Sequence, residues 1–126
     1  MHNLLIVDDN KIFRQTLKRI IEGNLSLSRV REAASGFEAL QMIREEEPDA
    51  ILMDIRLQGE SGLRVTERIK AERPGIRIIF ITGHDSQEYR EAATRIGAER
   101  FLSKEQASYE EIISTIRSVL EQDGMK

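Results

Sequence analysis

Short apolar runs that stop abruptly at polar residues alternate along this chain with stretches where apolar positions recur every three or four residues. Leu4-Leu5-Ile6-Val7 is the first run, ended by Asp8-Asp9-Asn10. A run of this length bounded by turn signals reads as a strand buried on both faces. Four more follow: a weaker one from Val30 to Ala34, an unbroken one from Ala50 to Met53, one rich in β-branched and aromatic residues from Ile76 to Thr82, and a short one from Arg100 to Ser103. Helical spacing fills the gaps. Phe13, Leu17, Ile20 and Ile21 form one stripe, with Asp9 or Asn10 available as its cap and Gly23 as its stop. Phe37, Leu40 and Ile43 form a second, ended by Glu45-Glu46-Glu47-Pro48, since the residue before proline is biased out of the helical region. Leu63, Val65, Thr66 and Ile69 form a third that ends at Arg73-Pro74-Gly75, and Tyr89, Ala92, Ala93 and Ile96 a fourth that Gly97 closes. Ile112, Ile113, Ile116, Val119 and Leu120 share the last stripe, which is expected to fray through Asp123-Gly124.

Strands and helices that alternate five times imply right-handed crossovers and a parallel sheet covered on both faces. The predicted fold is α/β: a flavodoxin-like, doubly wound, five-stranded parallel sheet of order 2-1-3-4-5 with five helices. Asp54 then sits where the third strand runs out, at the carboxyl edge, where ligands bind in open α/β sheets. The ends of strands one and three flank the topological switch point, so Asp8, Asp9 and Asp54 meet there. Thr82 and Lys104 end strands four and five on the same rim.

Composition narrows the function classes. The 126 residues are one domain's worth, and 40% hydrophobic with 33% charged residues excludes a disordered chain. A net charge of −3 without a basic block gives no nucleic-acid footprint. The absence of cysteine excludes a disulfide framework and a thiolate metal site, and agrees with a cytosolic setting. No apolar run approaches membrane-spanning length, and the N-terminal tetrad is too short for a signal peptide. The expectation is a cytoplasmic domain with neither a membrane nor a nucleic acid as direct partner.

Three carboxylates around one point repel one another, and a bound cation relieves that repulsion. All-oxygen ligation with few protein carboxylates suits Mg²⁺, which keeps several waters and shares its site readily with phosphate. Lys104 adds an ammonium and Thr82 a hydroxyl. A metal, an ammonium and a hydroxyl aimed near one carboxylate match the oxygens of a phosphoryl group in transfer, and carboxylate nucleophiles that form aspartyl phosphate are a known class. Each residue alone has a plainer reading. Asp8-Asp9 fits a strand stop and cap, Asp54 a turn residue, Thr82 a β-branched strand residue and His84 a loop residue, while Phe101 divides evenly between core and function. Together, in phase, the plainer readings lose ground.

Leu5-Ile6-Val7-Asp8-Asp9, Met53-Asp54-Ile55, the loop to Gly62, Phe80-Ile81-Thr82-Gly83 and Gly97-Ala98 to Lys104 resemble, in order and spacing, the receiver domain of two-component response regulators. The resemblance implies one receiver domain over residues 1–126, with no effector domain in the chain. It implies that Asp54 is the phosphoacceptor for a sensor histidine kinase. Asp9 resembles the direct metal ligand, Asp8 a ligand acting mostly through water, and Arg56 the residue whose backbone carbonyl completes the Mg²⁺ site. Thr82 matches the switch hydroxyl, Phe101 the switch aromatic and Lys104 the phosphate-binding lysine. Phosphorylation would then reshape the face of helix four, strand five and helix five for a partner or output domain, leaving a phosphorylation-dependent homodimer open. Such a protein is a signalling switch rather than a turnover enzyme.

Departures from the family pattern carry their own expectations. Leu57-Gln58 stands where many receivers have Met-Pro, which predicts a looser loop. Glu105 follows Lys104 where the family often has a cis proline, and a cis bond before a non-proline residue costs about 2.5–4 kcal/mol, so a trans bond and a rebuilt loop are expected. A lysine followed by an acidic residue is common in regulators that carry a helix-turn-helix DNA-binding domain. Three alternatives compete: a haloacid-dehalogenase-like phosphatase, which needs a second aspartate where Arg56 stands; a flavin module, which needs a hydroxyl- and glycine-rich loop after strand one; and a receiver-like interaction module that works without phosphorylation.

Overall fold

The computed structural model describes residues 2–26 and 28–121. The elements run β1 (His2–Val7), α1 (Lys11–Asn24), β2 (Ser28–Ala33), α2 (Gly36–Glu45), β3 (Ala50–Met53), β4 (Arg56–Leu57), β5 (Glu60–Ser61), α3 (Gly62–Glu72), β6 (Arg77–Thr82), α4 (Gln87–Arg95), β7 (Arg100–Ser103) and α5 (Tyr109–Glu121). One parallel sheet has the order β2-β1-β3-β6-β7. The two-residue strands β4 and β5 pair only with each other. With them set aside, the order is the expected 2-1-3-4-5.

Alternation along the strands sends side chains to two apolar layers. Leu5, Val7, Ile51, Met53, Ile78 and Phe80 face a layer shared with α2, α3 and Ala93 of α4. Leu4, Ile6, Leu52, Ile79 and Ile81 face the other, shared with α1 and α5. The central strands β1 and β3 are thereby buried on both faces, which is why their sequences read as unbroken apolar runs.

Local chemistry sets the element ends. Asn10 caps α1 by accepting the Phe13 N–H at 3.0 Å. Ser35 caps α2 by accepting the Glu38 N–H, while the Glu38 carboxylate accepts the Ala34 N–H, a reciprocal pair that fixes the helix start. Past α4, Gly97 has φ +92, and the N–H groups of Gly97 and Ala98 donate to the carbonyls of Thr94 and Ala93. This helix ending needs a left-handed residue, which glycine supplies without steric cost.

Several expectations are corrected. Phe37 is not on the buried face of α2 but 70% exposed; the buried positions are Gly36, Ala39, Leu40 and Ile43. Gly36 lies against Val65 and Glu60, so that edge faces inward and Phe37 is turned about 100° away from it. α1 continues through Gly23 to Asn24, whose side chain donates to the Ile20 carbonyl. β2 begins at Ser28 rather than Val30, because its pairing with β1 extends to His2. The segment after Asp54, read as a loop running to Gly62, turns at Gly59 and closes as the β4–β5 ladder. The expected fraying at Asp123-Gly124 lies outside the described residues.

Candidate functional site

Asp54 is the first residue past β3, and its N–H donates to the Val7 carbonyl at 3.0 Å. Asp8 is the first past β1, with its N–H on the Ala33 carbonyl at 3.1 Å. Two neighbouring strand tips thus deliver two carboxylates to one hollow, and both are nearly buried at 2% and 6% exposure. Asp9, one residue on, is exposed. Carboxylate oxygens of Asp8, Asp9 and Asp54 all lie within 4.8 Å of one another.

Lys104 follows β7 on the same rim. Its N–H donates to the Thr82 carbonyl at 2.8 Å, which ties the ends of β6 and β7 together. Its ammonium lies 2.8 Å from Asp8 Oδ2 and 3.3 Å from Asp54 Oδ2. The same nitrogen stands 4.3 Å from the centre of the Phe13 ring. All peptide bonds among the described residues are trans, Lys104–Glu105 included, and the segment after Lys104 turns back so that the Ala107 N–H reaches the Ser103 carbonyl. The trans bond is the one expected where glutamate stands in place of proline.

Thr82 ends β6 fully buried, and its hydroxyl oxygen accepts the His84 N–H at 3.1 Å. Arg56 opens β4 with an exposed side chain. Phe101 is half-buried on β7, its ring 6.2 Å from that of Phe80. The Arg90 guanidinium covers the Phe101 ring at 4.7 Å and is itself held by both carboxylate oxygens of Asp85, at 2.6 and 2.9 Å.

Electrostatics follow from burial and charge. Burial pushes the Asp8 carboxyl above the usual aspartate range, and the hydrogen bonds from Lys104 and the Asn10 N–H only partly offset it. Burial would lower the Lys104 ammonium, but the hydrogen bond to Asp8 and the charges of Asp54 and Asp8 outweigh it and hold the group above its ordinary value. Two of the three carboxylates, Asp8 and Asp54, share one ammonium. Asp54 Oδ1 is buried and has no hydrogen-bond partner. A buried carboxylate oxygen left unpaired costs free energy unless something else meets it, and an acidic, all-oxygen donor set is the kind that hard divalent cations use. The residues therefore fit a metal ion.

The chain matches the response regulator receiver domain over residues 4–124. It belongs to that family. It is 38% identical over 117 residues to the transcriptional activator protein ExaE of Pseudomonas putida, an alignment that covers 93% of this chain and 54% of that protein. The receiver spans about half the length of the curated relatives it matches. A CheY-like receiver domain from Methanospirillum hungatei JF-1 superposes with a TM-score of 0.91 at 27% identity, over 99% of this chain and 98% of that one. A response regulator from Burkholderia pseudomallei, crystallised with a phosphorylated aspartic acid, a calcium ion and citrate, gives 0.84 at 30% identity, over 99% and 72%. The function is that of a two-component signalling receiver, and the phosphatase and flavin alternatives are not favoured. No described helix is long and apolar enough to cross a membrane.

Sequence reasoning placed Asp8, Asp9, Asp54, Thr82 and Lys104 on one rim, and the structure gathers the three aspartates and the lysine into direct range. It missed Phe13, read there as packing alone. The signal was its place four residues after Asp9, in the first turn of α1. The Asp85–Arg90 pair over Phe101 was also missed, since nothing in the sequence tells where Arg90 points.

Proposed function

We propose that Asp54 accepts a phosphoryl group from the phosphohistidine of a sensor histidine kinase. A carboxylate oxygen of Asp54 forms the new bond to phosphorus as the phosphorus–nitrogen bond of the donor breaks and the imidazole leaves. Asp9, Asp8, Asp54 and the backbone carbonyl of Arg56 would hold Mg²⁺. When bound, that ion supplies neutralisation of the phosphoryl and carboxylate oxygens. Lys104 places its ammonium beside Asp54 for a second phosphoryl oxygen, and the Thr82 hydroxyl donates to a third. Positioning and charge stabilisation of this kind supply most of the catalysis in phosphoryl transfer. The observation that carries the reading is the Lys104 ammonium 3.3 Å from Asp54, in a hollow where three carboxylates converge and Asp54 Oδ1 has no partner. The phosphorylated aspartic acid in the Burkholderia pseudomallei relative supports it.

Phosphorylation adds up to about two negative charges and three acceptor oxygens at Asp54. Thr82 follows the new acceptors, Phe101 follows Thr82, and the face of α4, β7 and α5 changes shape for a partner. The phosphoryl group shifts this equilibrium only by its differential interaction with the two states. Residues 1–126 act in this reading as one receiver domain in the cytoplasm, a switch rather than a turnover enzyme. Its output is an attached or separate transcription-controlling domain, as the name of the ExaE relative suggests.

Intact mass spectrometry after incubation with acetyl phosphate and Mg²⁺ tests the reading. One phosphoryl group is expected on the wild type and none on Asp54→Asn. An unmodified wild type would favour the interaction module that works without phosphorylation.

A further inference from the structure

We infer that Phe13 is a positioning residue for Lys104, its ring holding the ammonium in the site once a cation has taken Asp8. The inference rests on the phosphoryl-transfer reading and adds a residue to it. Both oxygens of Asp8 are engaged: Oδ1 accepts the Asn10 N–H at 2.8 Å and Oδ2 pairs with Lys104 at 2.8 Å. A cation bound among Asp8, Asp9 and Asp54 therefore competes with Lys104 for Asp8, and its positive charge repels the ammonium. Two neighbours of that nitrogen remain, Asp54 at 3.3 Å and the Phe13 ring at 4.3 Å. An aromatic face attracts an ammonium through its quadrupole without offering a ligand to the metal. Phe13 can hold Lys104 without competing for the ion.

The ring is fixed by the same segment that builds the acidic hollow. Asp8 and Asp9 lead directly into Asn10, whose side chain accepts the Phe13 N–H at 3.0 Å. Arg14, the next residue, donates to the Asp8 carbonyl at 2.7 Å and to Glu32 at 2.8 Å. The first turn of α1 is thus bound to the tip of β1, and the ring keeps its distance from the carboxylates. Phe13 also packs against the α1–α5 layer. A leucine would serve that packing as well, but only an aromatic ring offers the face.

The test uses the wild type, Phe13→Leu and Phe13→Tyr with two readouts. The first is the NMR shift of the Lys104 Cε protons, metal-free and at saturating Mg²⁺. An upfield ring-current shift is expected in the wild type in both conditions and in Phe13→Tyr, and is lost in Phe13→Leu. The second is phosphorylation by acetyl phosphate, resolved into maximal rate and half-saturating donor concentration. In that reaction a bond from Asp54 to phosphorus forms, the bond from phosphorus to the acetyl oxygen breaks, and acetate leaves. Phe13→Leu is expected to lower the maximal rate about two- to tenfold, the range of one partly exposed cation–π contact, and Phe13→Tyr to preserve it. A wild-type ring-current shift that vanishes on adding Mg²⁺ would overturn the inference, whether or not the leucine variant folds. So would a folded Phe13→Leu that phosphorylates at the wild-type rate. A wild type that gains no phosphoryl group would sink the proposed function instead, leaving the Mg²⁺ titration of the Lys104 signal to judge the ring.

Discussion

Gly62 lies so close to the backbone of Asp54 that a Cβ added to it would overlap the Asp54 carbonyl oxygen. Its own N–H donates to the Ile55 carbonyl, so α3 starts directly against the turn that carries the central carboxylate. The neighbouring atoms are backbone, which cannot swing aside as a flexible side chain would. Gly62→Ala is therefore expected to destabilise the protein by about 1–3 kcal/mol, the usual range for overpacking. It should also lower Asp54 phosphorylation, because relief of the clash must displace Asp54 or α3. Urea midpoints and phosphorylation rates on the same preparations check this, and a fully stable, fully active alanine variant would contradict it.

Asp8 is held above the usual aspartate range chiefly by burial. The folded state thus binds its proton more tightly than the unfolded chain, whose reference value is 3.8. The sign follows from linkage: stability from this group is greatest at acid pH and falls as pH rises from about 3.8 through the raised folded value. Asp8→Asn, measured without divalent cations, is expected to be more stable than the wild type at neutral pH. The advantage should shrink as pH falls toward the ordinary carboxylate range. Chemical denaturation across pH reads both parts.

The rim was legible in the sequence because strand ends are. Each unbroken apolar run stops where the chain leaves the sheet, so Asp8, Asp54, Thr82 and Lys104 could be placed at one edge before any contact was known. The topology then brings β1 and β3 side by side. Helix faces were less legible where two stripes fit equally well. Phe37, Leu40 and Ile43 are as regular as Gly36, Ala39, Leu40 and Ile43, and only the close packing of Gly36 on Val65 and Glu60 decides between them. Contacts made by long side chains were not legible at all: Arg90 over Phe101 and Lys104 over Phe13 depend on rotamers that no spacing encodes.

Lys104 is the counter-charge of two nearly buried carboxylates, so its removal leaves both without a cation. Breaking a buried pair costs about 3–5 kcal/mol, and the partial exposure of Lys104 reduces that figure, so Lys104→Met is expected to cost about 1–3 kcal/mol at neutral pH. The loss should be recovered in acid, as the carboxyls take up protons. The Lys104 ammonium is raised above its reference value of 10.5 once the carboxylates outweigh burial. In the wild type its contribution is present below that value and lost as pH rises through the folded one. Thermal unfolding of both proteins from acid to alkaline pH distinguishes this from a simple packing defect, whose cost would not track pH.

A cation that binds the folded hollow and not the unfolded chain must stabilise the fold by mass action. At one hundred times its dissociation constant the gain is about 2.7 kcal/mol, and EDTA should reverse it. The gain should shrink sharply in Asp9→Asn, since Asp9 is the exposed member of the trio and has no ion pair to Lys104 to lose. In Lys104→Met the outcome should run the other way. With the competing ammonium gone from Asp8, the ion is expected to bind more tightly than in the wild type, and its stabilisation should exceed the wild-type value at equal concentration. Thermal shifts against Mg²⁺ concentration for the three proteins test this order. A Lys104→Met variant that binds the ion no better than wild type would show that the ammonium and the metal do not contend for Asp8.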